Sequence, residues 1–486
     1  MNPLIFLLFA NSLVAETQQY RAKLIPAGYS VETIVTPVDA TGAPLQFGVG
    51  GLGFTEAGDA FVASRTEGIW KFSKGSWSRF SDHLHDPQGL HVVDEDTVII
   101  AQKPELTRVQ DTDGDGLADL YQTICDDWRY GGNYCEYVHG PVVDSRGNFY
   151  LNLNLSAGSA DMMFLGKGKY MGSSGGYDGW HCKVTPEGDL VPVASGLRSP
   201  AGIGINSETD EVFYTENQGS WVPTSFLAQV KEGAFYGYPS SLIDDPKFRG
   251  KPEKIVFEEF SKLREMPAVY FPHGELANSP GDPVFDLTEG HFGPFAGQLF
   301  VGCQTRSNIM RVSLEKVKGE YQGSVFNFID HLQSGCLRLN FDPQGRLWVG
   351  QTGRGWGSVG GKTFGLQRIS WDGKTTPFEM KAITLNPDGF RVSFTNPWSR
   401  DGVSVKSLAV SSWRYHYHSE YGSPKVDTQS HEVESVTLAE DGLSLDFKTK
   451  LIPGRVYKVT LNGVAAQNGE SMSTDTGYYT LNNLVD

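Results

Sequence analysis

Six segments of the chain share one pattern, and this repeat is the strongest constraint on its fold. Each segment has an alternating strand, a hairpin turn that carries Gly or Asp, and a more continuous apolar strand. The segments begin at Gly51, Gly89, Gly140, Gly202, Gly293 and Leu337. Period-two alternation between such turns is typical of antiparallel meanders. The repeat predicts an all-β six-bladed β-propeller, whose closed ring hides sheet edges, and a sandwich of the same strands is the alternative.

The two ends of the repeat region indicate how the ring closes and where it stops. The last repeat lacks an outer strand, and the alternating stretch YSVETIVTP, residues 29–37, is expected to supply it. Beyond residue 376 the pattern changes to strands with Asp-Gly turns, as in KAITLNPDGFRVSFTN. The sequence therefore predicts a propeller over residues 16–376 and an immunoglobulin- or fibronectin-like β-sandwich over residues 377–486.

Composition and the first residues limit location and partners. The formal charge of −16 disfavours nucleic acid, because phosphate would be repelled. An apolar run at residues 4–10 followed by small residues is typical of a secretory signal. We therefore expect residues 1–15 to be a removed leader, the protein to be secreted or periplasmic, and no segment to cross the membrane.

The five cysteines fit an exported protein without forming a dense disulfide framework. Cys125 and Cys135 bracket a short loop that a disulfide would close. Cys303 and Cys336 are a second possible pair, which would leave Cys182 unpaired. The chain has no Cys-x-x-Cys-His motif, so a covalently attached c-type haem is not expected.

Five motifs follow one another in an order that occurs in a known family. FVASRTEGIWKF and HDPQGLHVV lie in the first two repeats, VHGPVVDSRGNFYL in the third, and SGLRSPAGIGIN and NQGSWVPTSFLAQVKEGAFYGYP in the fourth. Together they resemble the soluble glucose and sorbosone dehydrogenases, secreted propellers that use pyrroloquinoline quinone (PQQ) and calcium. The resemblance covers residues 29–372. It implies oxidation of a sugar or polyol hydroxyl and a separate electron acceptor such as a cytochrome.

The resemblance also assigns roles to single residues. His139 matches the general base that takes the hydroxyl proton, and Arg338 matches the arginine that stabilises the reduced quinone. Gln88, Arg198 and Arg306 match cofactor-binding positions. The backbone carbonyls of Gly219 and Ser220 match those that would hold the catalytic calcium.

Three positions depart from the family. This chain has Thr305 at a lysine position, Cys336 at one of two arginine positions, and Ser199 at an asparagine position. PQQ is a tricarboxylate, and losing two cations would cost several kcal/mol at roughly 1.5–3 kcal/mol per charged hydrogen bond. Two alternatives therefore stay open. One is a cofactor-less propeller that binds carbohydrate, and the other is a calcium-dependent lactonase-type hydrolase.

The hydrolase alternative and a separate acidic loop both concern metal ligands. A hydrolase would use carboxylate and amide oxygens, for which the candidates are Glu216, Asn217 and Asn152. The loop RVQDTDGDGLADLYQ follows an EF-hand-type calcium pattern with the ligands Asp111, Asp113, Asp115, the Leu117 carbonyl and Asp119. We expect this loop to lie in the outer connection between the second and third blades, away from the reacting groups, and calcium to hold it in shape.

Overall fold

The computed structural model describes residues 13–14, 17–157, 171–173, 175–353, 357–399 and 403–485. Strands dominate, which confirms the all-β prediction. The helical elements of the described chain are the α-helix Phe257–Phe260 and the 3-10 turns Pro239–Ile243, Pro252–Lys254 and Val405–Ser407. No helix within these ranges is long and apolar enough to span a bilayer. Most of the predicted leader, residues 1–12 and 15, lies outside the described residues.

The described residues between 13 and 371 form six antiparallel sheets, numbered here in chain order of their innermost strands. From the axis outward, sheet 1 consists of Val49–Phe54, Ala60–Ser64, Gly68–Ser73, Ser76–Ser81 and, at its edge, Leu13–Val14. Sheet 2 consists of Leu90–Val92, Thr97–Ala101, Leu106–Gln110 and Leu120–Cys125. Sheet 3 consists of Val138–Val143, Phe149–Leu153, Trp180–Val184 and Leu190–Ser195, with the small ribbon Ser156–Ala157 and Met171–Gly172 beside it.

The remaining three sheets complete a ring. Sheet 4 consists of Pro200–Asn206, Glu211–Glu216, Ser225–Gln229 and Val269–Phe271. Sheet 5 begins with Pro280–Phe285, Leu299–Cys303, Asn308–Val317 and Glu320–Ile329. Sheet 6 consists of Cys336–Phe341, Leu347–Thr352, Phe364–Trp371, Tyr29–Ile34 and Thr17–Tyr20. Each innermost strand contacts the next, and that of sheet 6 contacts that of sheet 1, so the fold is a β-propeller.

The predicted closing strand is confirmed. Tyr29–Ile34 pairs antiparallel with Phe364–Trp371, with Val31 opposite Ile369. A strand from before the first repeat thus joins the last sheet. This pairing leaves the ring without an open seam at the point where its first and last sheets meet.

The glycines that begin the repeats allow the inner strands to approach closely. A methyl group on Gly89 would collide with the carbonyl oxygen of Gly140 in the next sheet, and one on Gly202 with the carbonyl oxygen of Gly281. Only glycine permits this backbone contact. Farther out, aromatic side chains fill the spaces between sheets, as where Trp348 lies 5.3 Å from Phe54, centroid to centroid.

The fifth repeat was predicted to begin too late. Its innermost strand is Pro280–Phe285, which lies upstream of Gly293. The prolines at 280 and 283 obscure the strand pattern, although an edge position at the axis tolerates them. The segment after Gly293 supplies the second and third strands of sheet 5 instead.

A second unit follows the ring and is joined to sheet 5. One of its sheets consists of Met380–Asn386, Gly389–Phe394, Ser444–Lys448 and Ser435–Leu438. The other extends sheet 5 through Thr476–Leu481, Arg455–Leu461, Leu408–Arg414 and Val426–His431. The joint is the antiparallel pairing of Ser324 with Tyr479 and its neighbours. The predicted boundary after residue 376 falls between the last ring strand and the first strand of this unit.

The predicted disulfides do not form. Cys125 is a buried free thiol, so it is not bonded to Cys135, and the remaining free buried thiols are Cys182, Cys303 and Cys336. Burial raises the pKa of the Cys336 thiol, which keeps it uncharged. These cysteines therefore act as small apolar side chains in the core.

Candidate active-site hub and rim

The guanidinium of Arg338 joins all six sheets. Arg338 lies on the innermost strand of sheet 6 and is 2 % exposed. It donates hydrogen bonds to one residue from each of the other five sheets: Gly50 O (2.7 Å), Gln88 O (2.8 Å), His139 Nδ1 (2.7 Å), Ala201 O (2.9 Å) and Asp282 Oδ1 (2.7 Å). A guanidinium has five N–H groups, and each of them has an acceptor here. We call these six residues the hub.

Asp282 supplies the charge that balances Arg338. Burial raises the pKa of the Asp282 carboxyl, while the adjacent guanidinium opposes that shift. A buried ion pair is stable only when its remaining hydrogen-bonding groups have partners. Here backbone carbonyls accept from the other N–H groups of Arg338. Asp282 was not predicted from the sequence, because it lies between two prolines in the strand that the repeat pattern missed.

The hub fixes the protonation of His139. Arginine can only donate, so the His139 Nδ1 that faces Arg338 Nη2 is an acceptor and the neutral ring carries its proton on Nε2. Burial lowers the pKa of His139 well below its usual range, and Arg338 and Arg65 lower it further. The imidazole is therefore neutral with Nε2–H as a donor. That tautomer argues against a general base at Nε2, which needs a lone pair there.

A second polar cluster, which we call the rim cluster, lies beside the hub on the face where the inner strands begin, and consists of Arg65, Asp86, Lys103 and Tyr137. Arg65 contacts Asp86 through two hydrogen bonds, Nε to Oδ1 (2.8 Å) and Nη2 to Oδ2 (3.2 Å). Lys103 Nζ lies 3.6 Å from the same carboxylate. Both cations lie over the ring of Tyr137, at 5.1 Å and 4.6 Å from its centroid. Gln88 links this cluster to the hub, because its Nε2 donates to Asp86 and its Oε1 accepts from Arg338.

The carbonyls predicted to hold a catalytic calcium are covered by the second unit. The Gly219 carbonyl accepts from the backbone N–H of Val222 (3.1 Å) and from that of Gly422 (2.9 Å). Ser220 forms a β-bridge with Tyr421. Two N–H donors occupy both lone-pair directions of the Gly219 oxygen, so a cation would have to displace the second unit from this position.

The other predicted cofactor-binding cations also have partners within the protein. Arg198 donates from Nη1 to the Gln218 carbonyl (3.4 Å), and its guanidinium lies 5.3 Å from the ring centroid of Tyr421. Arg306 donates from Nη1 to the Gly274 carbonyl (2.6 Å). Thr305, at the lysine position of the family, shares a hydrogen bond with Ser279. These residues do not converge as free cations on one point.

The residues present do not fit PQQ with its calcium. A tricarboxylate quinone needs several unengaged cations and a calcium with free oxygen ligands. Arg338 has no unengaged N–H, the Gly219 carbonyl is covered, and Cys336 is neutral and fully buried. His139, Arg338 and Gln88 do lie together, but in the structure they satisfy one another's hydrogen-bonding groups.

The hydrolase candidates lie in the same region without forming a metal cluster. Glu216 accepts backbone N–H groups of Arg198, Ser199 and Asn217, each at 2.9 Å, and burial raises its pKa to about 7. The amide groups of Asn152 and Asn217 donate to backbone carbonyls. Glu216 thus caps the start of sheet 4 and is not arranged as an open metal ligand.

The acidic loop gathers carboxylates as predicted, but its place in the fold differs. It connects Leu106–Gln110 to Leu120–Cys125, a hairpin within sheet 2, because these strands pair with Arg108 opposite Gln122. The prediction that it links the second and third blades was wrong. Ligand oxygens of Asp111, Asp113 and Asp115 all lie within 4.8 Å of one another.

The last two predicted ligands of this loop are arranged differently. The Asp119 carboxylate accepts from the backbone N–H (2.8 Å) and the hydroxyl (2.7 Å) of Thr112. The backbone N–H of Leu117 donates to Asp115 Oδ1 (2.8 Å), and the Leu117 side chain is exposed. Three carboxylates therefore face one another, while Asp119 closes the base of the loop.

An axial cavity of about 300 Å³ lies on the other side of Arg338 from the rim cluster. Inner-strand backbone and apolar side chains such as Leu52 and Val284 line it, together with the polar residues Gln88, His91, Asp282, Arg338 and Asn340. The rim side carries the charged and aromatic groups that suit recognition of a polar ligand.

Comparison with known proteins supports this architecture. A family described as a domain of unknown function, DUF7133, matches residues 75–256. The holo PQQ domain of a Coprinopsis cinerea pyranose dehydrogenase shares 13 % identity, with a TM-score of 0.50 over 73 % of this chain and 98 % of that one. A calcium structure of a Trichoderma reesei carbohydrate-active enzyme of family AA12 shares 13 % identity, with a TM-score of 0.51 over 73 % and 99 %.

These neighbours are of the class that the sequence motifs resemble, and at such identities they establish the fold alone. No curated protein sequence matches the chain. The protein is therefore a β-propeller with the architecture of PQQ-dependent sugar dehydrogenases.

Proposed function

We propose that this protein is a carbohydrate-binding propeller that keeps the dehydrogenase architecture and works without PQQ. We interpret the six sheets as six blades and the second unit as an immunoglobulin- or fibronectin-like sandwich. The observation that carries the proposal is the hub, in which every N–H of Arg338 donates a hydrogen bond to another group of the protein. A guanidinium engaged in this way is a structural clasp and has no donor left for a quinone oxygen.

The rim of the hub supports a sugar as the ligand. Asp86, Arg65 and Lys103 place a carboxylate and two cations together on a rigid scaffold. They are paired with one another, and vicinal hydroxyls would exchange with part of this pairing. Tyr134, 48 % exposed, lies beside Tyr137 and adds aromatic surface. Both neighbours reported above are named for pyranose or carbohydrate chemistry, which agrees with this ligand class.

Oxidation of a sugar or polyol by PQQ and calcium is the second candidate. It is favoured by the convergence of His139, Arg338 and Gln88 at one point, as the family resemblance implies. It would require Arg338 to release some of its acceptors and the second unit to uncover Gly219. A separate electron acceptor would then complete the reaction.

Two further parts of the proposal concern calcium and location. Calcium bound by Asp111, Asp113 and Asp115 would be a structural ion, because the loop lies at the outer edge of sheet 2. We also propose that residues 1–15 direct export. Mass determination of the mature N-terminus after secretion tests this, and an intact Met1 would contradict it.

One set of measurements separates the candidates. The purified protein is titrated by calorimetry with cellotetraose, xylotetraose and laminaritetraose, with and without PQQ and calcium. We expect saturable binding of at least one sugar, unaffected by PQQ, and no reduction of a redox dye. Stoichiometric PQQ uptake with sugar-dependent dye reduction would overturn the proposal in favour of the dehydrogenase. Hydrolysis of a lactone that chelation abolishes would favour the hydrolase.

A further inference from the structure

One hairpin of the second unit, residues 415–424, is docked on the rim of sheet 4. The Trp221 N–H donates to the His418 carbonyl (3.1 Å), the Gly422 N–H to Gly219 (2.9 Å), and the Ser423 N–H to Pro223 (2.8 Å). This segment, which we call the docked hairpin, therefore crosses the propeller face with its backbone fixed at three points. This contact was not predicted from the sequence, because it joins positions about two hundred residues apart.

Side chains on both sides of the docked hairpin reinforce its position. The Tyr417 hydroxyl donates to the Gly237 carbonyl, and the Tyr417 ring lies 5.3 Å from Trp221, centroid to centroid. The shared sheet between the ring and the second unit also prevents the hairpin from swinging away as a lid. The docked hairpin is thus a permanent wall of the face that carries the hub.

Tyr421 is the exception within this fixed segment. It is 67 % exposed, the most exposed of the large apolar side chains in the described chain. One face of its ring covers the Arg198 guanidinium, 5.3 Å from the ring centroid, and this contact orients the ring. A tyrosine ring that is held on one face and open to solvent on the other presents a flat apolar surface with a polar edge.

We propose that Tyr421 is a stacking subsite for one sugar ring of the carbohydrate bound at the rim. This inference rests on the proposed function and adds the ligand's contact with the second unit. The apolar C–H face of a pyranose matches the free face of a tyrosine ring, and its equatorial hydroxyls then point sideways toward polar groups. Because the docked hairpin is already ordered, binding incurs little loss of conformational entropy.

The subsite also explains why the second unit is joined rigidly to the ring. A stacking residue on a mobile module would lose its position relative to Arg65 and Asp86. Here the hairpin is hydrogen-bonded to the ring and Tyr421 lies over Arg198, so Tyr421 keeps a fixed position relative to the propeller face. The ligand class that we propose is an oligosaccharide, one ring of which stacks on Tyr421.

The test compares Tyr421→Ala with Tyr421→Phe and with Leu443→Ala, a matched truncation of another exposed side chain of the second unit. Each variant is titrated with cellotetraose, xylotetraose and laminaritetraose, and its melting temperature is measured. We expect Tyr421→Ala to weaken binding about tenfold, from loss of one stacked ring. Tyr421→Phe and Leu443→Ala should bind like the unmodified protein, and all melting temperatures should stay unchanged.

The outcomes are separable. If the unmodified protein binds a sugar and Tyr421→Ala binds it equally well, the subsite is wrong and the proposed function stands. If Tyr421→Phe loses as much as Tyr421→Ala, the hydroxyl and not the ring makes the contact, and stacking is refuted. If the unmodified protein binds none of the three sugars, both the function and the subsite are overturned.

Discussion

The hub and the acidic loop are both dense in charged groups, but they neutralise their charge in opposite ways. In the hub, Arg338 and Asp282 are paired, and carbonyls from the other sheets satisfy the remaining donors. In the loop, Asp111, Asp113 and Asp115 face one another and, among the described residues, accept only backbone N–H groups. One site is complete within the chain, and the other is suited to a cation from solution.

This contrast shows that residue identity alone does not separate a binding site from a structural one. Arginine and histidine at the hub match catalytic positions in sequence, yet their partners are all internal. The loop has no catalytic character in sequence, yet its carboxylates lack an internal cation. The number of unsatisfied groups, rather than the residue types, indicates where a ligand is needed.

The largest expected effect is at the hub. Arg338→Met removes the contact shared by six sheets and leaves the Asp282 carboxylate buried without its partner. We expect a loss of about 3–5 kcal/mol in the free energy of unfolding, or failure to fold. Urea unfolding measures it. Arg346→Met is the control, because that guanidinium pairs with Asp342 in the same sheet and is itself 32 % exposed. Equal losses in the two variants would mean that Arg338 is not a clasp.

Calcium should have the next largest effect, and only on the loop. At a free calcium concentration a hundredfold above the dissociation constant, binding adds about 2.7 kcal/mol to the free energy of unfolding. We expect chelation to lower the melting temperature and Asp113→Asn to abolish the difference. Asp39→Asn, in another exposed turn, should keep it. An unchanged melting temperature on chelation would remove the loop as a calcium site.

Acid should weaken the hub before the loop. The folded-state pKa of His139 is depressed, so the unfolded chain binds more protons as the pH falls below about 6.5, and stability is lost in that direction. Between pH 6.5 and 5 this amounts to at most about 2 kcal/mol. His139→Gln keeps an acceptor for Arg338 and should reduce the dependence in urea unfolding at pH 7 and pH 5. The buried His181, whose pKa is lowered to about 3, keeps its own share.

The control for that measurement is His83→Gln, because the His83 side chain is 76 % exposed. It should leave the pH dependence unchanged. Burial raises the pKa of Asp111 but backbone N–H groups outweigh it, so this pKa lies below its usual value and the Asp111 carboxylate keeps its charge over the same range. A pH dependence that survives His139→Gln intact would place the acid-sensitive group outside the hub.

The smallest expected effect is that of reducing agent. With four cysteines buried as free thiols, reduction should not change the melting temperature. Thiol titration should give no rapid reaction in the native protein and full reaction after denaturation. A drop in melting temperature on reduction would show that a disulfide stabilises the fold.

The sequence predicted the fold better than the site. Local alternation was enough to predict the ring and the closing strand at Tyr29–Ile34, because pairing follows from pattern and turns. The strand Pro280–Phe285 was missed because its prolines are unusual in strands, and Asp282 was missed with it. The family resemblance predicted that His139 and Arg338 lie at one site. It could not show that Gly50 and Ala201 contribute carbonyls, which any residue type would supply, or that Gly422 covers Gly219.

The pairing of Gly323–Phe326 with Gly477–Thr480 has a consequence for synthesis of the chain. The outer strand of sheet 5 is translated some 150 residues before its partner emerges from the ribosome. Until then it exposes an unpaired edge that another nascent chain can join. Chains that stop short of residue 476 should therefore aggregate at this edge, even though every ring strand has already been made.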